Sequence, residues 1–160
     1  EGLKLNSSLT EIDLRDNGFC GASWCAVFDT LHGNKENMIV KWDLSAQFPQ
    51  GITPNVATSL VNYLVSSRSL TTIELLLNKL DAEIAQALGP VIAVHSSLTS
   101  LDVRYNKFSV DGALELSQAT LANINIHQFN KMPIKQMRSD SFTELDLSKL
   151  FFGIEGSMIL

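Results

Sequence analysis

The chain has 160 residues, 45% of them hydrophobic and 18% charged, which is enough for a real core and too apolar for a disordered segment. Its formal net charge of −5 comes from 12 basic and 17 acidic residues; it argues against a nucleic-acid backbone as partner and favours a basic surface. No apolar run approaches the roughly 20 residues of a membrane span. The chain opens on Glu1, with no charged, signal-like segment before the first motif, which points to a removed leader or to a piece of something longer.

The first patterned stretch is L-T-E-I-D-L-R-D-N-G-F at 9–19. Leu9, Ile12 and Leu14 alternate with polar residues, which predicts a half-buried strand over 12–14. Asn17 stands where the chain must leave the sheet, and an Asn can satisfy backbone groups that lack a ladder partner there. A helix over about 22–31 follows, with Trp24, Val27, Phe28 and Leu31 on one face and Gly33 and Asn34 at its end. In the second unit Ile39, Trp42 and Leu44 fill the apolar slots, predicting a strand over 42–44, and Gln47 takes the Asn slot. Thr53 and Pro54 suit a helix cap and first helical residue, with Val56, Leu60, Tyr63 and Leu64 facing inward.

The third stretch, L-T-T-I-E-L-L-L-N-K-L at 70–80, predicts a strand over 73–75 and a helix from Asp81 carrying Ile84, Leu88, Val91 and Ile92. Gly89 and Pro90 predict a break or kink in that helix. The fourth, L-T-S-L-D-V-R-Y-N-K-F at 98–108, predicts a strand over 101–103 and a helix from near Asp111 that buries Leu114, Leu116 and Leu121 at least in part. A fifth, degenerate motif starts at Leu121, with a strand over 124–126 and Phe129 in the Asn slot; a short helical turn is expected within 131–137. A sixth starts at Phe142, with a strand over 145–147 and Leu150 in the Asn slot. The last five residues read as the first turn of another helix.

Starts at 9, 39, 70, 98, 121 and 142 give one repeating domain over 1–160. Such units bury their apolar sides only by stacking. The expected architecture is therefore α/β: a right-handed solenoid, parallel strands on the concave face and helices on the convex face. The stretches 9–19, 70–80 and 98–108, with S-S-L-T at 7–10 and 96–99, resemble ribonuclease-inhibitor-type leucine-rich-repeat proteins, whose repeats run to about 28 or 29 residues. The run M-P-I-K-Q-M-R-S-D-S-F-T-E-L-D-L at 132–147 is similar to a narrower type found in large repeat families of dinoflagellate-like unicellular algae. The resemblance implies a horseshoe segment that binds proteins on its concave face, and no catalysis.

The slot between the second and third apolar residues of each motif points into the concave face. It holds Asp13, Asp43, Glu74, Asp102, Asn125 and Asp146. With strands about 4.8 Å apart these carboxylates repel one another, partly compensated by Arg15 and Arg104. Together with Glu11 and His127 in the flanking columns, they form an acidic stripe for a basic protein partner. The alternative is a repeat idiom whose charges are merely solvated. Phe142, Phe151, Phe152 and Met158 form an apolar end flank, expected to meet further repeats or a partner subunit unless Phe151 and Phe152 fold back over it.

No catalytic residue, cofactor or metal is indicated. Cys20 and Cys25 lie in a stretch faintly like a papain-type nucleophile, but in the wrong order; five residues apart, they are not placed for a local disulfide, and a reducing cytoplasm is the default compartment, with a chloroplast the alternative. His32, His95 and His127 fall in different repeat positions, and no phosphate-binding loop or nucleophile elbow occurs. The expected role is a non-enzymatic protein-interaction module. The alternative is a structural subunit of a large assembly, of which a photosynthetic complex in an alga would be one example.

Overall fold

The computed structural model describes residues 2–139 and 142–160. Asp140 and Ser141, inside the alga-like run, and Glu1 lie outside them. The elements are α1 (Gly2–Leu5), β1 (Glu11–Ile12), α2 (Gly21–Gly33), β2 (Lys41–Asp43), α3 (Pro54–Ser66), β3 (Thr72–Glu74), α4 (Ala82–Val94), β4 (Ser100–Asp102), α5 (Val110–Ala122), β5 (Gln128–Phe129), α6 (Ile134–Arg138) and α7 (Gly153–Ser157). The strands form one parallel sheet in chain order, which is the expected α/β solenoid. Register brings Glu11, Lys41, Thr72, Ser100 and Gln128 into one row and Ile12, Trp42, Ile73, Leu101 and Phe129 into the next. The first four strands begin one residue earlier than the apolar triplets predict.

The second row is the inner wall of the core. Trp42, Ile73, Leu101 and Phe129 are buried there, against helix residues such as Phe28, Tyr63, Leu88 and Leu116. Aromatics thicken the first two coils: ring centroids lie 5.7 Å apart for Trp24 and Phe28, and 5.6 Å apart for both Phe28 with Trp42 and Trp42 with Tyr63.

Leaving the sheet requires a left-handed residue in every coil. Asp16, Ala46, Leu77 and Tyr105 have φ of 59°, 58°, 58° and 61°, each just before the Asn slot. Asn106 then ties two coils together: its Oδ1 accepts the N–H groups of Asn78 and Leu80 at 2.9 and 3.0 Å, and its Nδ2 donates to the carbonyls of Leu75 and Val103. Buried Asn78 repeats this one coil earlier, accepting from Phe48 N–H at 3.0 Å and donating to Leu44 O at 2.9 Å. Gln47 reaches only Ser45 O of its own turn.

A second side-chain ladder joins the helix ends. Asn34 donates to Leu3 O and Asn6 O, and Asn123 donates to Ile92 O and His95 O, at 2.6–2.9 Å. The short α1 therefore occupies, beside α2, the place that the last turn of α4 occupies beside α5.

Three expectations are corrected. The fifth strand is not 124–126: α5 runs on to Ala122, Asn123 anchors its end, and β5 pairs only at 128–129, with Ile126 buried and Ile124 exposed. Phe129 is thus an apolar wall residue. After it, Asn130 and Lys131 (φ 51° and 68°) reverse the chain in a tight hairpin in which Phe129 and Met132 exchange N–H···O bonds. Second, 145–147 is not a strand. The turn chemistry survives there, since Asp146 accepts from Ser148 N–H and Lys149 has φ 60°, but the segment is a loop whose Leu150 O accepts from Arg104 Nη1 at 2.7 Å. Third, α4 is unbroken through Gly89 and Pro90, and Pro90 sits on its exposed side. Of Leu114, Leu116 and Leu121 on α5, Leu116 is fully buried, while the other two keep 43% and 44% of their surface in water.

The chain closes its own C-terminal end. Helix α7 packs on α5: Ser117 Oγ donates to Glu155 O at 2.6 Å, and Asn130 Nδ2 donates at 3.0 Å to both Phe152 O and Glu155 Oε1. Phe152 and Met158 are half-buried in this closure, whereas Phe142 is exposed and Phe151 keeps 66% of its surface in water. Among the described residues no helix is long and apolar enough to cross a membrane.

Candidate functional site

The concave face is built by three columns of side chains on β1–β4 and the turns that follow. Its carboxylates are held in place by local chemistry. Asp13, Asp43 and Asp102 each accept the backbone N–H two residues on, at 3.0, 2.9 and 3.2 Å, closing a turn at the end of the strand. An aspartate at this slot therefore serves the turn as well as the surface.

The acidic column is neutralised within the face. Arg15 pairs with Asp13 at 2.7 Å and reaches across to Asp43 at 3.3 Å; Lys41 pairs with Glu74 at 3.3 Å. Arg104 pairs with Asp102 at 2.8 Å, and Lys131 stands 3.9 Å from the same carboxylate. Four carboxylates thus face four cations. The hydrogen bonds from the Arg15 guanidinium and backbone hold the Asp13 carboxyl at about 2, well below the usual range. Asp102 raises the guanidinium of Arg104 in the same way.

The expected repulsion along the column is therefore offset by these cations, and Asp13 stays largely solvent-exposed. Asp102 is 3% exposed, and Arg104 Nε and Nη2 clasp both of its oxygens at 2.8–3.2 Å. The two residues close the C-terminal side of the face. His127 does not stand beside Arg104: the register places it one residue before β5, exposed, with its N–H donating to Thr99 O. Asp146 and Asn125 lie off the sheet. The residues that the structure does bring together are Glu11, Asp13, Arg15, Asp43 and Glu74, with Lys41, which the acidic reading passes over, among them. Five of these groups, Glu11, Asp13, Arg15, Lys41 and Asp43, line with Ile12 a shallow basin of about 360 Å³ at the N-terminal side. Both cysteines are free thiols. Among the described residues no group of three or more His, Cys, Asp or Glu side chains is placed to hold a metal ion.

The model of the Leucine Rich repeat family matches residues 94–117. Over those residues the chain is similar to leucine-rich-repeat proteins. The match covers the end of α4, β4 and the first half of α5, the coil whose motif is complete from Leu98 to Phe108. The same helix–strand alternation in one open parallel sheet makes the other coils part of one α/β leucine-rich-repeat solenoid. Neither the curated proteins nor the solved structures compared with the chain contain a match. The repeats suggest a protein-interaction role, and no feature described above supplies a reaction.

Proposed function

We propose that this leucine-rich-repeat protein is a non-enzymatic interaction module that binds a protein partner on the N-terminal part of its concave face. The observation that carries the reading is the lattice of Glu11, Asp13, Arg15, Lys41, Asp43 and Glu74. All of them except Glu11 are already held by turns or ion pairs, so a partner orders few of them on binding. Because both signs alternate, the complementary surface is one of mixed charge rather than a purely basic one. Each partner cation would displace or share an existing pair, which favours specificity and association rate over raw affinity.

A second reading, a structural subunit of a larger assembly, draws on the N-terminal flank. There Leu9, Ile12 and Leu14 are only half-buried, and β1 has a pairing partner on one side alone. Affinity capture from the native source separates the two. Under the first, a partner identified by mass spectrometry with the wild-type chain is lost with Arg15→Glu and Lys41→Glu and kept with Ile12→Ser. Under the second the pattern reverses.

A further inference from the structure

On the convex side the helices are not evenly spaced. Helices α4 and α5 are drawn together by small residues at their crossing: a Cβ on Gly112 would come within 2.9 Å of the Ala82 Cα and 3.3 Å of the Ala85 Cβ. On the other side, α3 is entered from a loop three residues longer than its counterparts, containing Pro49 and Gly51 between the Asn slot and the helix. Close approach on one side and the extra loop on the other leave α3 and α4 splayed.

Two depressions follow the seam between them. One, of about 370 Å³, lies at the N-terminal half, between Pro54, Ala57 and Val61 of α3 and Ile84 and Ala87 of α4. The other, of about 150 Å³, lies at the C-terminal half among Leu64, Val65, Val91 and Val94. Val65 and Val94 are 67% and 78% exposed, a heavy exposure for two aliphatic side chains on adjacent helices. The seam also has charged ends of opposite sign. Asp81 and Glu83 line its N-terminal mouth, and Arg68 lines its C-terminal end. Unlike the four carboxylates paired on β1–β4, none of these three takes part in an ion pair among the described residues.

We propose that the α3–α4 seam is a second docking surface, which takes one amphipathic helix from a partner protein. The partner helix lays an apolar stripe along Val61, Val65, Val91 and Val94, places a Lys or Arg against Asp81 and Glu83, and places an Asp or Glu against Arg68. The thirteen residues of α4 span about 20 Å, which matches a partner helix of similar length. The charge order fixes its direction, since a helix inserted the other way would meet like charges at both ends. This surface lies on the face opposite the strands, so it stands or falls independently of the concave reading.

The test uses the full chain and a designed peptide of about 14 residues, with Leu at helical spacing, a Lys pair at one end and a Glu pair at the other. A peptide of the same composition with its spacing scrambled is the control. Backbone amide shifts should move saturably at Val61, Val65, Ala87 and Val91 with the first peptide and not the second. Val65→Glu and Val94→Glu, both at exposed sites and checked for an unchanged circular dichroism spectrum, should each weaken binding by about tenfold or more. Glu83→Lys should weaken it further at low salt than at high salt. Shifts that map instead to Glu11 and Lys41, binding indifferent to both valine variants, or no saturable shift would each overturn the proposal. So would sedimentation showing a dimer of the chain alone that Val65→Glu dissolves, because the seam would then be covered by a second copy.

Discussion

Arg104 donates three hydrogen bonds to the carboxylate of Asp102, two residues before it, and the pair closes the inner rim of β4 with almost no exposure of the acid. The same guanidinium donates to Leu150 O, so one side chain joins the strand end to the C-terminal loop. Removing Asp102 leaves a desolvated cation and an unpaired turn N–H behind. Asp102→Ala should therefore destabilise the fold by roughly 3 kcal/mol, read as a lower urea midpoint. Asp146→Ala, at an exposed loop with the same local turn, should shift the midpoint by well under about 1 kcal/mol equivalent.

Leu101 sits in the same strand, facing the other way, 1% exposed between Ile73 and Phe129. Leu101→Ala should cost about 2–5 kcal/mol through the cavity it leaves. If its urea midpoint matched that of Asp146→Ala, the assignment of inner and outer faces would be wrong.

The asparagine ladder makes a graded prediction. Asn78 bridges to Phe48 and Leu44 of the preceding coil from a fully buried position, whereas Asn17 bonds only Leu14 O and Arg15 O of its own exposed turn. Asn78→Ala leaves two buried backbone groups unsatisfied and should cost about 2–3 kcal/mol. Asn17→Ala should cost no more than about 1 kcal/mol. Thermal unfolding of the two variants side by side checks the order.

Two buried titratable groups give stability opposite slopes with pH. Burial raises the Glu155 carboxyl above its ordinary 4.5, with the N–H groups of its own backbone and of Asn130 opposing and the nearby Asp102 adding to the rise. Its contribution is fully present below the unfolded pKa and is lost as pH rises through the folded pKa. Burial lowers the His95 imidazole below its ordinary 6.5, and its Nδ1 accepts from Leu98 N–H at 3.2 Å. Its contribution is fully present above the unfolded pKa and is lost as pH falls through the folded pKa. Glu155→Gln keeps the acceptor for Asn130 and should remove the alkaline-side loss. His95→Asn, which copies the residue at Asn34 and Asn123, should remove the acid-side loss. Urea midpoints of wild type and both variants across about pH 4 to 8 would show whether each limb vanishes with its own residue.

The strand–helix rhythm was legible because each coil repeats one physical problem: an apolar wall, a left-handed exit and a side chain to satisfy the bend. Where the reading slipped, a local pattern competed with a longer-range one. Ile124 and Ile126 alternate like a strand, but Asn123 had first to reach back to Ile92 and His95, which pushed the wall residue to Phe129. Keeping the 28-residue spacing from Leu98 would have pointed to Ile126 and Phe129. At 145–147 the turn signals were genuine, but the hairpin at Asn130 and Lys131 had already diverted the chain from the sheet. The concave residues on β1–β3 were legible from slot position alone. Their mutual neutralisation was not, because Arg15–Asp43 and Lys41–Glu74 are contacts between coils. The α3–α4 seam left no sequence signal either; it arises from the spacing between helices, set by small residues elsewhere.

The central claim is that the concave charge lattice recognises the partner. The most direct measurement is the affinity of the captured partner for the wild-type chain as salt is raised from about 50 mM to about 500 mM, where screening shortens to a few ångströms. The account predicts a steep fall in affinity carried mainly by a slower association rate. An affinity that stays flat with salt in the wild type would contradict it and would place the partner on an apolar surface instead.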